Sequence, residues 1–366
     1  MDKRRPRKRV GVVFGGRSGE HEVSLRSAAF VLESLDPEKY DVVPIGITRE
    51  GEWLLGNDPM QHLTTALQRG ARHADRRVEH PTIPLQATET GWLGNLDIVF
   101  PVLHGPHGED GTIQGILEMA NFPYVGSGVT ASAIAMDKGM TKAVLRDHGL
   151  PVGNWHTFLA QMWRDDPAEF RADVEERVTY PLFVKPCNLG SSVGISKVHN
   201  ASEFDVALSS AAEFDRRVIV EQAVPNVREI EVGVLGNDQP AVSVCGEVIP
   251  AREFYDYQSK YEDDRSQVIV PADLPESLAD QIRAYAVQTF LALDAAGYAR
   301  VDFLVDAETL EVVIGEINTI PGFTPISMFP QLWAASGLSA RQLMDQLINL
   351  AVQRHRNRLG LMPVVR

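Results

Sequence analysis

Asp302, Glu316 and Asn318 fall in two neighbouring apolar segments, ARVDFLV and VIGEINT. Glu316 and Asn318 are two apart, so on a strand their side chains leave the same face. If the two segments pair as a hairpin, Asp302 joins them and three hard oxygen donors stand together. Such a set, few and partly anionic, suits Mg²⁺ shared with substrate phosphates. The same residues would also serve as an exposed sheet face, but Phe303, Val313, Ile314 and Ile317 around them are apolar. Lys185 closes the apolar run PLFVKP, just before NLGSSVG. A lysine there can neutralise phosphate while backbone N–H groups of the small residues cradle it. The spacing is not that of a Walker A loop, and a plain hairpin tip reads the same way. Lys138, in MDKGMTK, says less, because an isolated helix lysine is usually solvated.

Two further groups belong to strand ends. Glu20 and Glu22 follow the glycines of GGRSGEHEVS and open a helix. The helix dipole alone favours carboxylates there. Glu20 would also face the carboxyl edge of a sheet, where ligands bind in open α/β folds. His104, after the apolar run Ile98 to Leu103, reaches the same edge, although a lone histidine is more often structural. EFYDYQSKYEDD (253–264) places three tyrosines and a lysine in a long polar loop, either a lid that excludes water or a surface loop.

Ordered elements must hold these groups. Val10 to Phe14 is a continuous apolar run, as in a strand buried on both faces. Ala28, Val31, Leu32 and Leu35 then recur at helical spacing. Strands are expected at 42–47 and 98–103, and a helix through Ile113, Ile116, Leu117 and Ala120. This alternation implies a parallel sheet flanked by helices. From about 50 to 94 polar residues dominate, and loops are expected. PLFVKP and ISKV form a hairpin around the glycine-serine tip. A helix at 202–214 and strands at 217–224, 229–235, 241–248, 299–305 and 311–317 follow, with helices at 278–293 and from 340 to about 354.

Composition narrows the class. A chain of 366 residues, 44% hydrophobic, exceeds one typical core and predicts two or three domains. With 35 basic and 49 acidic residues the formal charge is −14, which argues against a general nucleic-acid binder. The basic stretch KRRPRKR at 3–9 reads as a solvated tail rather than a targeting signal. No segment approaches a membrane span. Cys187 and Cys245 form no metal or redox spacing, which fits a reducing cytoplasm.

In this order, HGPHGEDGTIQG (104–115), KPCNLGSSVGISKV (185–198), FYDYQSKY (254–261) and RVDFLV with GEINTIPGFTPISMFP resemble the D-alanine–D-alanine ligases of the ATP-grasp superfamily. The resemblance runs from Val10 to Leu350 and is poor over about 50–94. It implies an α/β ATP-grasp fold: an N-terminal parallel-sheet domain (1–126), a central domain (127–224) and a C-terminal catalytic domain (225–366) enclosing ATP. It implies that Asp302, Glu316 and Asn318 hold two Mg²⁺ or Mn²⁺ ions, and that Lys138 and Lys185 meet the ATP phosphates. Glu221, Gln222, Ala223 and Val224 would hold adenine, and Glu229 the ribose. Glu20 resembles the carboxylate that receives the first D-alanine's ammonium, with Ser191 and Tyr261 as its partners, and His104 the histidine near it. Lys260 would reach the γ-phosphate. Arg300 and the Gly322 backbone would form an oxyanion hole, and Ser327 and Met328 would hold the second D-alanine's carboxylate. Many relatives carry leucine where Met328 stands. The implied protein is a cytoplasmic homodimer with no membrane or nucleic-acid partner, making the dipeptide of the peptidoglycan wall.

Three alternatives remain at this stage. Ligases of the same fold accept D-lactate or D-serine, but the lactate enzymes tend to carry histidine at the lid tyrosine, which is intact here as Tyr261. A dinucleotide oxidoreductase would show GxGxxG, which is absent. A non-catalytic relative would lack the acidic ligands, and all three are present.

Overall fold

The computed structural model describes residues 6–56, 58–68, 95–190, 193–250 and 267–360. The described strands form three sheets. In the first, β1 (Lys8–Gly15) pairs in parallel with β2 (Tyr40–Ile47) and β4 (Ile98–Val102), and β3 (Trp53–Leu55) adds antiparallel to β2. Val10, Val12, Phe14, Ile98 and Phe100 are fully buried, which explains why these strands read as unbroken apolar runs. The helix His21–Ser34 covers one stretch of this sheet. The polar region after residue 50 differs from the loop expected of it: it holds β3 and the helix Pro59–Gln68, whose Leu63 is buried in the same core. A small apolar set was enough to order it, and the flanking charges hid that set. Residues 69–94 lie outside the described part.

The second sheet runs β5 (Trp155–Leu159), β8 (Arg217–Gln222), β6 (Leu182–Pro186), β7 (Ser196–Val198), all antiparallel. β6 and β7 form the expected hairpin. Its own core includes Phe158, Phe170 and Phe204, with the first two rings 4.3 Å apart.

The third sheet runs β11 (Gln267–Ile269), β10 (Ala241–Ile249), β9 (Val227–Gly236), β12 (Gly297–Asp306), β13 (Val312–Asn318), again antiparallel. The helix Glu276–Ala292 lays Ile282, Ala286 and Phe290 on one face. Ala131 and Leu145, from helices Val129–Met136 and Lys138–Asp147, enter this same core. Those helices precede the second sheet in sequence but pack with the third. Loop and helix residues Phe323, Phe329 and Trp333 join the core of the first sheet instead. So does the helix Ala340–Leu359, through Leu343, Met344, Leu347, Ile348 and Ala351. A capping box at Ser339 and Gln342 starts that helix. Aromatic rings knit this junction, with Phe323 in edge contact with Tyr298 at 5.5 Å and with Phe329 at 5.4 Å. Among the described residues no helix is long and apolar enough to cross a membrane.

Candidate active site

β12 and β13 pair with Asp302 opposite Glu316 and Arg300 opposite Asn318. The hairpin inferred from spacing is therefore present, and the register slips by one residue just after Asp302, as at a β-bulge. On the other side of β12, Glu231 of β9 lies opposite Asp302. Arg300 donates from Nε and Nη2 to the two carboxylate oxygens of Asp302, each at 2.6 Å, a bidentate grip of the strong kind. Its Nε also stands 2.8 Å from Glu231 Oε2. Asn318 Nδ2 donates to Asp302 Oδ2 at 2.9 Å, so its carbonyl oxygen is the end left to ligate. Among the described residues no three His, Cys, Asp or Glu side chains cluster as a metal site. The third donor here is an amide. Two carboxylates and one amide oxygen on adjacent strands form the hard, partly anionic set that Mg²⁺ or Mn²⁺ accepts.

The lysines sit opposite. Phe183 faces Glu221 and Lys185 faces Ile219 across β6 and β8, so Lys185 and Glu221 are diagonal neighbours. Lys185 Nζ donates to Glu221 Oε2 at 3.0 Å, and Lys142 Nζ lies 3.6 Å from the other oxygen. Burial drives the Glu221 pKa up, but Lys142 and Lys185 outweigh it and hold the carboxyl below its usual range. Lys138 starts the helix Lys138–Asp147, which Asp137 caps by accepting the Met140 N–H. Its ammonium donates to Leu189 O at 2.6 Å, in the loop after β6. Burial lowers its pKa against the pull of Glu316. At the end of β8 the N–H groups of Gln222 and Ala223 are spent on Asn154 O and Pro181 O; Val224 follows, half-buried. Glu229 lies on β9 opposite Leu304, two residues before Glu231.

Glu20 ends the glycine turn and is squeezed between two loops. A Cβ added to Gly105 would stand 2.5 Å from Glu20 Oε2, and one added to Gly190 would stand 2.7 Å from it. Gly105 also has φ +73°, which by itself favours glycine there. His104 beside it is buried, with Nδ1 2.9 Å from Ile320 O and Nε2 3.0 Å from Ser27 Oγ. Burial pushes its pKa down.

The segment after β13 turns back over the cleft. Ser327 precedes the helix Met328–Ala335, and its Oγ accepts the Thr324 N–H at 3.0 Å. Met328 packs onto β10, where a Cβ on Gly246 would fall 2.6 Å from its sulfur. The Gly322 N–H donates to no acceptor among the described residues.

One cleft of about 670 Å³ gathers Glu20, His104, Lys138 and Arg300 with Glu316 and Asn318. Gly322, Ser327 and Met328 line it as well. Asp302 stands behind Arg300 and Asn318, while Lys185, Glu221 to Val224 and Glu229 are not part of this wall. Ser191, Lys260 and Tyr261 lie outside the described residues. Sequence reasoning passed over Glu109, Glu231 and Lys142. Lys142 is one helical turn from Lys138, and Glu231 shares a strand face with Glu229; those spacings were the available signals. Glu109 sits inside HGPHGEDG. Its carboxylate accepts the N–H of Gly105 at 2.8 Å and of Ile320 at 3.1 Å. Burial, then the Glu20 carboxylate, push its pKa up.

The chain is similar to known proteins over nearly its whole length. The family profile described as "D-ala D-ala ligase N-terminus" matches residues 9–127, and "D-ala D-ala ligase C-terminus" matches 144–349. The D-alanine–D-alanine ligase of Natranaerobius thermophilus is 47% identical over 352 residues, covering 96% of each chain. That of Acetivibrio thermocellus is 47% identical over 369 residues, covering 96% of this chain and 98% of its own. Among solved structures, the D-alanine–D-alanine ligase from Coxiella burnetii superposes with a TM-score of 0.81 at 37% identity over 96% of each chain. The VanG D-Ala:D-Ser ligase from Enterococcus faecalis also gives 0.81, at 36% identity over 94% of this chain and 100% of its own.

Proposed function

The chain belongs to the D-alanine–D-alanine ligase family, and from that premise we propose how its residues divide the work of an ATP-grasp enzyme. It joins two D-alanine molecules at the expense of ATP, for peptidoglycan synthesis. A carboxylate is a poor electrophile, so the first D-alanine is activated as its acyl phosphate. Lys138 and Lys185 meet the ATP phosphates, and Glu221 to Val224 with Glu229 hold the nucleoside. Asp302, Glu316 and Asn318 would hold two divalent ions, Mg²⁺ or Mn²⁺. Bound there, such ions offset charge on the transferred phosphoryl oxygens. Lys260 reaches the same phosphoryl group, and a closed lid carrying Tyr261 shields the labile acyl phosphate from water. Glu20, with Ser191, Tyr261 and His104, receives the first D-alanine's ammonium. Ser327 and Met328 hold the second D-alanine's carboxylate. Its amine, once deprotonated, attacks the acyl carbon, and the oxyanion that forms is stabilised by Arg300 and the Gly322 N–H. Phosphate then leaves.

The observation that carries this division is the Gly322 N–H. It has no acceptor among the described residues, and Gly322 lines the cleft that also holds Glu20, Arg300 and Glu316. We also assign the protein to the cytoplasm as a homodimer. The test is phosphate release from ATP by purified protein with D-Ala, L-Ala, D-Ser and D-lactate, each with and without D-Ala. D-Ala alone is expected to support release, and no release with it sinks the reading. The likeness to a D-Ala:D-Ser ligase makes D-serine the competitor to include. Preference for a D-Ala and D-Ser mixture would move the chain to that specificity.

A further inference from the structure

The peptides on either side of Gly322 are anchored by side chains, three of which (Glu109, His104 and Ser27) lie far away in sequence. The Ile320 N–H donates to Glu109 Oε1 at 3.1 Å. The Ile320 carbonyl accepts from His104 Nδ1 at 2.9 Å. Pro321 has no N–H to offer. The Phe323 N–H donates to Ser27 Oγ at 3.2 Å, and the Thr324 N–H to Ser327 Oγ at 3.0 Å. Between these anchors, the Gly322 N–H has no acceptor among the described residues.

The supports are joined to one another. Because Nδ1 of His104 must donate to a carbonyl, Nε2 of the neutral ring is an acceptor. It receives the Ser27 hydroxyl at 3.0 Å. Ser27 can therefore accept from Phe323 and donate to His104 at once, which uses its one donor and one of its two lone pairs. The second oxygen of Glu109 accepts the Gly105 N–H at 2.8 Å, tying the loop to the residue after His104. Ser27 is fully buried and His104 nearly so, so a lost partner leaves a buried polar group unsatisfied.

We infer that Ser27 and Glu109 are positioning residues for acyl transfer: they anchor the peptides on both sides of Gly322 and so aim its N–H at the developing oxyanion. The inference rests on the role given to Gly322 above. A hydrogen bond that forms only in the transition state depends steeply on placement. Loosening the anchors lowers the rate of dipeptide formation while nucleotide binding, built on other loops, is spared.

The experiment uses the full chain as wild type, Ser27→Ala, Glu109→Gln and Glu109→Ala. Thermal melting establishes that each is folded. Steady-state kinetics give kcat and the KM for ATP, and binding is measured for a phosphinate dipeptide whose tetrahedral P–O⁻ stands where the oxyanion forms. Ser27→Ala and Glu109→Gln are expected to lower kcat about tenfold and to weaken the phosphinate by a similar factor. The KM for ATP stays within about twofold. Glu109→Ala is worse, and the glutamine variant, keeping one acceptor oxygen, recovers part of the loss. Folded variants with wild-type kcat and phosphinate affinity overturn the inference. So does a rise in the KM for ATP that accounts for the whole defect. If the Glu109 variants do not fold, Ser27→Ala decides. Wild type that makes no dipeptide defeats the functional reading, whereas active wild type with unaltered variants defeats only this inference.

Discussion

Gly190→Ala tests the role proposed for Glu20 in receiving the first D-alanine. Its Cβ would stand 2.7 Å from Glu20 Oε2, 3.5 Å from Cδ and 3.7 Å from Oε1. The position has no positive φ, so the backbone accepts alanine without strain. Ordinary contact begins at 3.4 Å, so either the carboxylate or the loop must withdraw by roughly 0.7 Å, the difference between the two distances, which is the scale at which placement of a binding group is felt. Turning Glu20 off its rotamer costs about 1 kcal/mol. The loss of ammonium contact adds a similar amount, so roughly 1–2 kcal/mol is expected in kcat/KM for the first D-alanine, a factor of about 5–30. Coupled phosphate release, fitted for the two D-alanine sites separately, reads it. The KM for ATP should stay level, and Glu20→Asp, one methylene shorter, should restore part of the loss in the double variant. An unchanged first-site KM in folded Gly190→Ala, or no coupling between the two positions, refutes the claim that this glycine exists for Glu20.

Glu316→Ala is expected to abolish turnover while melting and circular dichroism stay near wild type; retained activity removes it from the metal set. Gly246→Ala drives a Cβ to 2.6 Å from the Met328 sulfur and should raise the KM of the second D-alanine severalfold more than that of the first, which two-site kinetics can distinguish. Phe323→Ala empties a ring from the aromatic junction and should lower stability by about 3–5 kcal/mol in urea melts. His104 is buried and its pKa is depressed from 6.5. Because the folded pKa lies below the unfolded 6.5, its stabilising share is complete above about 6.5 and is lost as pH falls from there toward the folded value. The wild-type melting temperature should therefore drop more between about pH 7.5 and about pH 5.5 than that of His104→Gln, and an equal drop in both contradicts this.

The third sheet was the most legible part of the chain, because strand period 2 fixes faces without any long-range knowledge. Spacing alone put Glu316 and Asn318 on one face, and Asp302 joined them only if the two strands paired, which they do. Less could be read where a short element depends on what it packs against. β5 and the helices between 129 and 175 escaped notice, and β3 with the helix Pro59–Gln68 looked like loop. The site divided in the same way. Glu20 and His104 were visible as strand-end groups. The work of Glu109 was not, because its bond to Ile320 spans 211 positions and no local pattern encodes such a distance.

The helix Ala340–Leu359 completes the core of a sheet whose first strand begins at Lys8. Tyr40 and Lys39 reach its Asp345 at 2.8 and 2.5 Å. During synthesis the N-terminal sheet leaves the ribosome long before that helix exists, and it waits with apolar surface uncovered while two other sheets are made. The second sheet, with its own enclosed core, can settle in the interval. The first sheet and the helix Ala340–Leu359 thus mature late and together, and removing that helix is expected to unfold the first sheet as well.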